Sequence, residues 1–297
     1  MNDQSEPTIF MILNSEAAVD DELRQLVADL RVGGYNVDVR VSWEKGHTAK
    51  FSDEAIEAEV DAVVGCGGDG TLHDIVNTVM TGKERPMVAG LPYGTGNDFL
   101  RGLGIDLTCA PQEFGVWLET APTAIDVGRC GERYFLNMAT AGVGAEVTAQ
   151  VSRDFKDVAG SFAYFVSGIP AAFDLPVQQT KIRAPDFDWQ GKMAFLFVGN
   201  GQYSGGGWRL CPAARIDDGL LDVVIVPEMP LREMARCGRD MVKAESTGDF
   251  GPLIYRQVSK LDVEFDDDVP LNLDGEPVEG REFTFSAVEK AIRFLVP

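Results

Sequence analysis

One segment of the chain combines an apolar run, a cluster of glycines and a helical pattern within 18 residues. It extends from Val63 to Met80 and reads VVGCGGDGTLHDIVNTVM. Thr71 and Asp74 have the spacing of a capping box, which predicts that a helix begins there. The apolar residues that follow recur at the spacing of one helix face: Leu72, Ile75, Val76, Val79 and Met80. The segment therefore predicts a strand, a tight glycine turn and a helix, as in α/β sheets.

The glycine turn is suited to binding phosphate. Gly67, Gly68 and Gly70 would let the backbone turn tightly and present its N–H groups to phosphate oxygens, aided by the positive end of the helix dipole. A simpler interpretation is a strand-to-helix turn in which Asp69 caps the helix. The spacing excludes a P-loop, which requires Lys and then Ser or Thr after its last glycine, and it excludes the GxGxxG dinucleotide fingerprint.

A second polar loop, LPYGTGNDF from Leu91 to Phe99, follows another apolar run. Ligands of open α/β sheets bind at the carboxyl ends of the strands, so two such loops favour a nucleotide site more than either loop alone. An ordinary Gly-Asn turn is the alternative for this loop.

The first 125 residues alternate short apolar runs with helical patterns, which predicts an α/β domain with a mainly parallel sheet. The predicted strands are Thr8–Leu13, Val37–Val41, Val60–Val64 and Met87–Leu91, and further helices are predicted around Leu23–Leu30 and over Asp53–Glu59. From about Asp126 strand-like runs separated by Gly, Asn and Asp predict a mainly β domain, a sandwich. Its predicted strands are Tyr134–Met138, Met193–Val198, Leu220–Val226, Leu261–Phe265 and Glu282–Phe285, and its predicted helices are Phe155–Phe173 and Leu231–Glu245.

Two loops in this second part carry carboxylates. Within the glycine-rich segment Gly199–Val226, the run Asp217–Gly219 is either a plain hairpin turn or a set of oxygen ligands for a hard cation such as magnesium. In LNLDGEPVEG, Asp274 and Gly275 predict a tight hairpin turn with Glu276 just beyond it. Taken alone, this is a hairpin with a surface carboxylate.

Composition excludes several classes of function. The 47 acidic and 26 basic residues give a net charge of −21, which would repel a phosphate backbone, so we expect no nucleic-acid partner. No apolar run reaches about 18 residues and the N-terminal MNDQSEPTIF is acidic, so we expect no transmembrane segment, no signal peptide and a cytoplasmic location. With two histidines and five cysteines without a CxxC pair, we expect reduced, packed thiols and no histidine-rich metal cluster. Carboxylates must carry the chemistry.

Five motifs, in matching order along nearly the whole chain, resemble the diacylglycerol kinase catalytic family, and most closely its bacterial YegS-type lipid kinase branch. They are GGDGT at 67–71, PYGTGNDF at 92–99, NMATAGVGAEV at 137–147, CPAARIDDGLLDV at 211–223 and NLDGEP at 272–277. VRVSWEKG at 39–46 and FDWQG at 187–191 resemble that branch in particular. The long match makes the resemblance more specific than the GGDG core, which NAD kinases and phosphofructokinases share.

The resemblance implies an α/β nucleotide-binding domain at 1–125, to which 288–297 return, a β-sandwich substrate domain at 126–287, and an active site in the cleft between them. It implies ATP- and magnesium-dependent transfer of the γ-phosphate to the hydroxyl of a phosphatidylglycerol- or diacylglycerol-like lipid, with Glu276 as proton acceptor. The implied nucleotide contacts are Ser42, Gly68, Asp69, Gly70, Thr71, Leu72, His73, Asp74 and Thr95. The implied ligands of magnesium, or of calcium in its place, are the Asp218 carboxylate and the main-chain oxygens of Arg215 and Leu220.

Asp69 is predicted to position a catalytic magnesium ion or its water shell, with Asp98 and Asp126 in support. The chain departs from the family pattern at His73 and Asp74, where Asn and Glu are common, and in LNSEAAVDD at 13–21, which replaces an NPxSG motif. His73 either senses nucleotide charge or is a solvent-facing helix residue.

Two rival functions remain open: an NAD kinase-like enzyme with a soluble substrate, and a catalytically silent nucleotide-binding regulator. A lipid acceptor implies a peripheral contact with the membrane, for which Phe155–Phe173 is either an interface segment or part of the core. The residues favour no particular oligomeric state.

Overall fold

The structure, a computed structural model, describes residues 6–83, 85–142, 177–244 and 250–297. The chain divides into two compact units. The first unit comprises the residues up to Ile125 together with Lys290–Pro297, and the second comprises Asp126–Glu289. The helix predicted at Phe155–Phe173 lies outside the described residues.

A parallel sheet in the order β2-β1-β3-β4 forms the centre of the first unit. Phe294, near the end of the chain, pairs in parallel with Val88 at the edge of this sheet. The four strands are β1 (Thr8–Leu13), β2 (Asn36–Val41), β3 (Ala62–Gly67) and β4 (Met87–Pro92). The helices are α1 (Asp21–Val32), α2 (His47–Glu57), α3 (Asp69–Thr81), α4 (Asp98–Gly102) and α5 (Phe114–Trp117), with 3-10 turns at Ala17–Val19 and Pro111–Glu113.

The middle strands explain why the sequence of this unit is so apolar. Strands β1 and β3 have neighbours on both sides and are buried along nearly their whole length, so TIFMIL and AVVGCG are continuous apolar runs. Helix α1 buries one stripe at helical spacing and is capped at its start by Asp20. The residues of that stripe are Leu23, Leu26, Val27 and Leu30.

Two helices of the first unit begin earlier than the sequence predicts. Helix α3 begins at Asp69 with Gly68 as its N-cap residue, so Thr71 and Asp74 lie inside the helix and the predicted capping box is wrong. Gly68 has no side chain with which to cap the helix. Helix α2 begins at His47 rather than Asp53, because Gly46 turns the chain in the left-handed conformation (φ 89°).

The second unit is mainly β, as predicted, and its strands pair antiparallel. They are β5 (Thr123–Cys130), which begins in the first unit, β6 (Arg133–Phe135), β7 (Met138–Gly142), β8 (Gln178–Ala184), β9 (Phe187–Gly199), β10 (Tyr203–Ser204), β11 (Trp208–Arg209), β12 (Leu221–Pro227), β13 (Ile254–Val258), β14 (Lys260–Leu273) and β15 (Glu276–Phe294). The single strand predicted at Tyr134–Met138 is wrong, since β6 ends at Phe135 and β7 begins at Met138.

Long strands hold this unit together. Strand β9 pairs with β8 along its first half and with β7 and β12 along its second half, while β14 pairs with both β8 and β7. The strands β7, β9, β8 and β14 therefore form a closed circuit of pairings around an apolar core. Along β9, Leu196 and Val198 face this core, whereas Phe195 and Phe197 face a second core.

Helix α6 (Leu231–Lys243) covers the second core with Met234, Cys237 and Met241, which recur at helical spacing. All five cysteines are free thiols, and burial raises the pKa of Cys130 to about 12. Four of the thiols are buried, as expected of packing residues, and Cys109 is half-buried. Within the described ranges, the helices are too short or too polar to cross a bilayer.

Candidate active site

The two glycine loops of the first unit contact each other through their backbones. Gly68, at the end of β3, lies against Gly94, which follows β4. A Cβ atom on Gly68 would lie 3.1 Å from the Cα atom of Gly94, and one on Gly94 would overlap the Cα atom of Gly68. Only glycine at both positions allows the loops to approach this closely. The structure thus brings together the two loops that the sequence predicts to share one edge of the sheet.

Asp69 joins the same two loops with its side chain. One carboxylate oxygen accepts a hydrogen bond from the backbone N–H of Asp98 (3.0 Å), and the other accepts one from the N–H of Phe99 (2.9 Å). These amides belong to the first turn of α4, which has no other side-chain cap from its N-cap residue Asn97. Asp69 therefore caps a helix, but the helix is α4 and not its own.

The residues after Asp69 differ in what they can offer to a ligand. Gly70 is exposed, and no atom outside its chain neighbours and its own helix backbone lies within 4 Å of the place where a Cβ would be. Thr71 packs its side chain against Gly67. Leu72 is 1% exposed and fills the space beside Gly65 and Gly90, so only its backbone can face a ligand.

His73 is buried, so the interpretation as a solvent-facing residue is wrong. Its side chain is 8% exposed, with its Nε2 atom 3.3 Å from the Nδ2 atom of Asn77. Helix α2 packs against α3, so this helix is covered by more than the sheet. Asp74 is half-buried, and its backbone oxygen accepts a hydrogen bond from Thr78 Oγ1 (2.9 Å).

Ser42 and Thr95 also lie at the carboxyl edge of the sheet. The N–H of Ser42 donates to the Leu13 oxygen (2.8 Å), which continues the pairing of β2 with β1, and its Oγ is 3.2 Å from Thr48 Oγ1. Thr95 is exposed in a loop that the Asn97 side chain closes by bonding both backbone groups of Gly94. All the implied nucleotide contacts therefore lie at the carboxyl edge of the parallel sheet or on α3.

The LNSEAAVDD segment takes part in a polar network that its sequence did not predict. Asn14 donates from Nδ2 to the Tyr93 oxygen (2.7 Å), and the Tyr93 hydroxyl donates to Asp20 (2.9 Å). Burial works against ionisation of Asp20, but hydrogen bonds from Leu23, Tyr93 and Glu22 outweigh it and lower the pKa of the carboxyl. The signal was the cluster of Asn and Asp directly after β1.

In the second unit, Asp126 holds the loop that carries the implied metal ligands. Its carboxylate accepts a hydrogen bond from the N–H of Gly219 (2.7 Å), and its own N–H donates to the oxygen of Ile216 (2.6 Å). Asp218 is exposed and accepts a hydrogen bond from the N–H of Leu220 (3.0 Å). Asp217 instead pairs with Arg215 (3.1 Å).

This loop fits a hard cation such as magnesium or calcium. Partial desolvation and the nearby carboxylates of Asp126 and Asp217 raise the pKa of Asp218, so a cation there would relieve repulsion between like charges. Oxygen atoms from one carboxylate and from the main chain are the ligand type that these ions prefer. Across the described ranges, no group of three or more His, Cys, Asp or Glu side chains is placed to hold a metal ion. Main-chain oxygens would therefore have to supply most ligands.

The predicted hairpin turn at Asp274 and Gly275 is present between β14 and β15, with φ angles of 50° and 103°. The N–H of Gly275 donates to Asn272 Oδ1 (2.6 Å). Glu276 follows directly and is half-buried.

The turn is anchored by a contact that the sequence did not predict. The Asp274 carboxylate accepts hydrogen bonds from three consecutive backbone N–H groups, those of Leu136 (2.5 Å), Asn137 (3.0 Å) and Met138 (2.8 Å). The N–H of Asp274 donates in return to the Met138 oxygen (3.1 Å). Asp274 thus fixes the position of the hairpin that carries Glu276.

A parallel α/β unit whose two glycine loops are in backbone contact, followed by a mainly β unit, is the arrangement of two-domain proteins with a diacylglycerol kinase catalytic domain. The model of that domain matches residues 8–130, and the YegS C-terminal NAD kinase beta sandwich-like domain matches residues 137–296.

Comparison with individual proteins places the chain within this class. It is similar to the "Probable lipid kinase YegS-like" of Pseudomonas putida strain KT2440, at 36% identity over 97% of this chain and 94% of that protein. It is 38% identical to the protein of the same name in Pseudomonas aeruginosa strain PAO1, again over 97% and 94%. The chain belongs to the YegS-like lipid kinase family, as the motifs predict, and is a phosphotransferase with an alcohol-group acceptor.

The fold is also that of a solved structure with low sequence identity. The crystal structure of a diacylglycerol kinase from Bacillus anthracis strain Sterne superposes with a TM-score of 0.78 at 18% identity, covering 98% of this chain and 97% of that one. The predicted two-domain architecture is therefore confirmed.

Proposed function

We propose that this enzyme transfers the γ-phosphoryl group of ATP, with magnesium, to the hydroxyl of a phosphatidylglycerol- or diacylglycerol-like lipid. The observation that carries the proposal is the pair of glycine loops: Gly68 and Gly94 touch, and Asp69 bonds both loops together. Closely spaced backbone amides at a helix N-terminus form a favourable site for a phosphate group. The start of α3 supplies them.

The nucleotide contacts follow from this arrangement. The backbone of Gly68–Thr71 would bind the phosphates, and the open space beside Gly70 lets a phosphate oxygen approach the chain. Leu72 and His73 would contribute through the backbone and through packing, since their side chains are buried. Ser42 and Thr95 would border the nucleotide from neighbouring strands.

Glu276 would act as the base. Its carboxylate takes the proton of the lipid hydroxyl as that oxygen forms its bond to the γ-phosphorus, and the bond from phosphorus to the leaving ADP oxygen breaks. This step requires the Gly68 loop and Glu276 to engage one substrate complex.

Carboxylates of both units would help to bind magnesium ions. Magnesium, when bound, neutralises charge on the transferred group. Asp69 would accept a hydrogen bond from a metal-bound water, since a carboxylate has about four acceptor sites. Asp218, with the main-chain oxygens of Arg215 and Leu220, would hold a second ion, and Asp126 would fix that loop through Gly219.

The acceptor lipid lies at a membrane surface, where a net charge of −21 works against binding to anionic lipids. A local apolar contact must therefore offset the repulsion. Diacylglycerol, phosphatidylglycerol and a sphingoid base all present a primary hydroxyl that Glu276 could deprotonate.

The test is transfer of labelled phosphate from ATP into a total lipid extract, with NAD as a parallel acceptor. We expect the label to appear in one lipid species, in a reaction that depends on magnesium, and we expect none in NAD.

Glu276→Gln should lower kcat by about 100- to 10,000-fold, because general-base catalysis contributes that much, and should leave ATP affinity unchanged. Glu279→Gln, an exposed position on the same strand, is the matched control and should retain activity. Wild-type turnover in Glu276→Gln would refute the assigned base.

A further inference from the structure

An exposed tryptophan follows the strand at the edge of the parallel sheet. Trp43 comes directly after Ser42 and is 73% exposed. Among the large apolar side chains that the described residues expose, it is the only aromatic one; the others are Val19, Val32 and Val116. An indole ring in water leaves a large apolar surface that a flat ligand can cover.

The backbone beneath this ring is held in place. The N–H of Trp43 donates to His47 Nδ1 (3.3 Å), and the N–H of His47 donates to the Glu44 oxygen (3.1 Å). His47 also packs against Phe51, with ring centroids 5.4 Å apart. The loop from Trp43 to Gly46 is therefore a closed turn on the first residues of α2, and the Trp43 backbone is fixed by it.

The position of Trp43 relative to the phosphate cradle follows from strand pairing. Ser42 N–H bonds the Leu13 oxygen, and Asn14 N–H bonds the Cys66 oxygen, so the ends of β2, β1 and β3 lie in one row. Neighbouring strands are about 4.8 Å apart, which puts Ser42 about 10 Å from Gly67. This distance is comparable to that between the terminal phosphates and the base of a nucleoside triphosphate.

We propose that Trp43 is the platform on which the adenine base of ATP stacks. Phosphates bound at the start of α3 and a base stacked on the indole would extend the nucleotide across the ends of β3, β1 and β2. The inference rests on the proposed function, because it takes the glycine loops as the phosphate site. In this arrangement the indole ring recognises the base by stacking, a contact that any purine can make.

Calorimetric titration with magnesium ATP and with magnesium tripolyphosphate, which has no base, tests this directly. Trp43→Ala should weaken ATP binding roughly 5- to 100-fold, the range expected from loss of base–aromatic stacking, and leave tripolyphosphate binding unchanged. Trp43→Phe should retain most of the ATP affinity. ATP should quench the fluorescence of the wild type but not of Trp43→Phe. Val32→Ala is the control and should bind both ligands normally. Val32 is also exposed, but it is the last residue of α1 and lies before the start of β2, whereas Trp43 follows the end of β2.

The other outcomes overturn the inference in distinguishable ways. If Trp43→Ala binds ATP as well as the wild type does, or loses affinity for both ligands equally, the ring does not stack on the base, although the phosphate cradle stands. If the wild type binds neither ligand, the proposed function fails as well. If Trp43→Ala instead loses binding to phosphatidylglycerol vesicles at unchanged ATP affinity, the ring is a lipid contact.

Discussion

The two units hold their functional groups in opposite ways. In the first unit, backbone meets backbone at Gly68 and Gly94, and the main chain itself is the group that we propose to bind the nucleotide. In the second unit, buried or half-buried carboxylates bond main-chain amides, as Asp274 does at three consecutive residues and Asp126 does at Gly219. The first arrangement depends on the absence of side chains, and the second depends on particular charged ones. Their responses to mutation and to pH should differ accordingly.

The largest effect is expected where a side chain is added between the glycine loops. In Gly94→Ala the new Cβ would overlap Gly68, so the loops must separate, with a loss of stability of about 1–3 kcal/mol. Phosphate transfer should fall by at least about 100-fold, because the phosphate site loses its geometry. Urea unfolding measures the loss of stability, a phosphate-transfer assay measures the loss of activity, and ATP titration shows whether the nucleotide site is affected.

Gly115→Ala is the control for this substitution, since its Cβ would meet open space in α5. Alanine there should leave transfer unchanged and stabilise the chain by up to about 1 kcal/mol. Normal ATP binding by Gly94→Ala would show that the contact between the loops is unimportant for the nucleotide.

A smaller effect is expected when the anchor of the hairpin is weakened. Asp274→Asn keeps the size of the side chain but offers one acceptor oxygen to three amides. We expect kcat to fall about 10- to 100-fold through misplacement of Glu276, with an unchanged dissociation constant for ATP. Steady-state kinetics and calorimetry separate these two terms.

Asp267→Asn, an exposed substitution on β14, the strand that leads into this turn, is the matched control. It should behave as the wild type does. If Asp274→Asn lowers stability but not kcat, the carboxylate serves the fold alone.

The smallest effect concerns Asp222, a fully buried carboxyl on β12 that accepts a hydrogen bond from the Tyr255 hydroxyl (2.5 Å). Burial raises its pKa from 3.8 to about 6. The folded chain therefore binds this proton more tightly than the unfolded chain, and the resulting stability is lost as pH rises through about 6. Between pH 5 and pH 7 the free energy of unfolding should fall by about 1–2 kcal/mol more in the wild type than in Asp222→Asn.

Urea unfolding at both pH values measures this difference. Equal pH dependence in the two proteins would mean that Asp222 titrates near its ordinary value, and that the second unit is not pH-sensitive at this site.

The sequence predicted the elements better than their ends. Strands β1 and β4 and the turn at Asp274 and Gly275 agreed because buried runs and left-handed turns leave strong local signals. The predicted start of α3 and the predicted exposure of His73 were wrong, since both depend on which neighbour packs against the helix. The role of Asp274 was missed because its three partners lie more than 130 residues away in the chain.

By itself, the sequence determined the family, the order of the elements and the residue types at the two glycine loops and the Glu276 hairpin. These follow from local backbone preferences and apolar periodicity, which are written in neighbouring residues. Only the tertiary structure decided that Gly68 packs on Gly94, that Asp69 caps α4, and that Asp274 anchors its turn on the strand start at Met138. Those contacts join distant segments, and their energy depends on distances that no local pattern encodes.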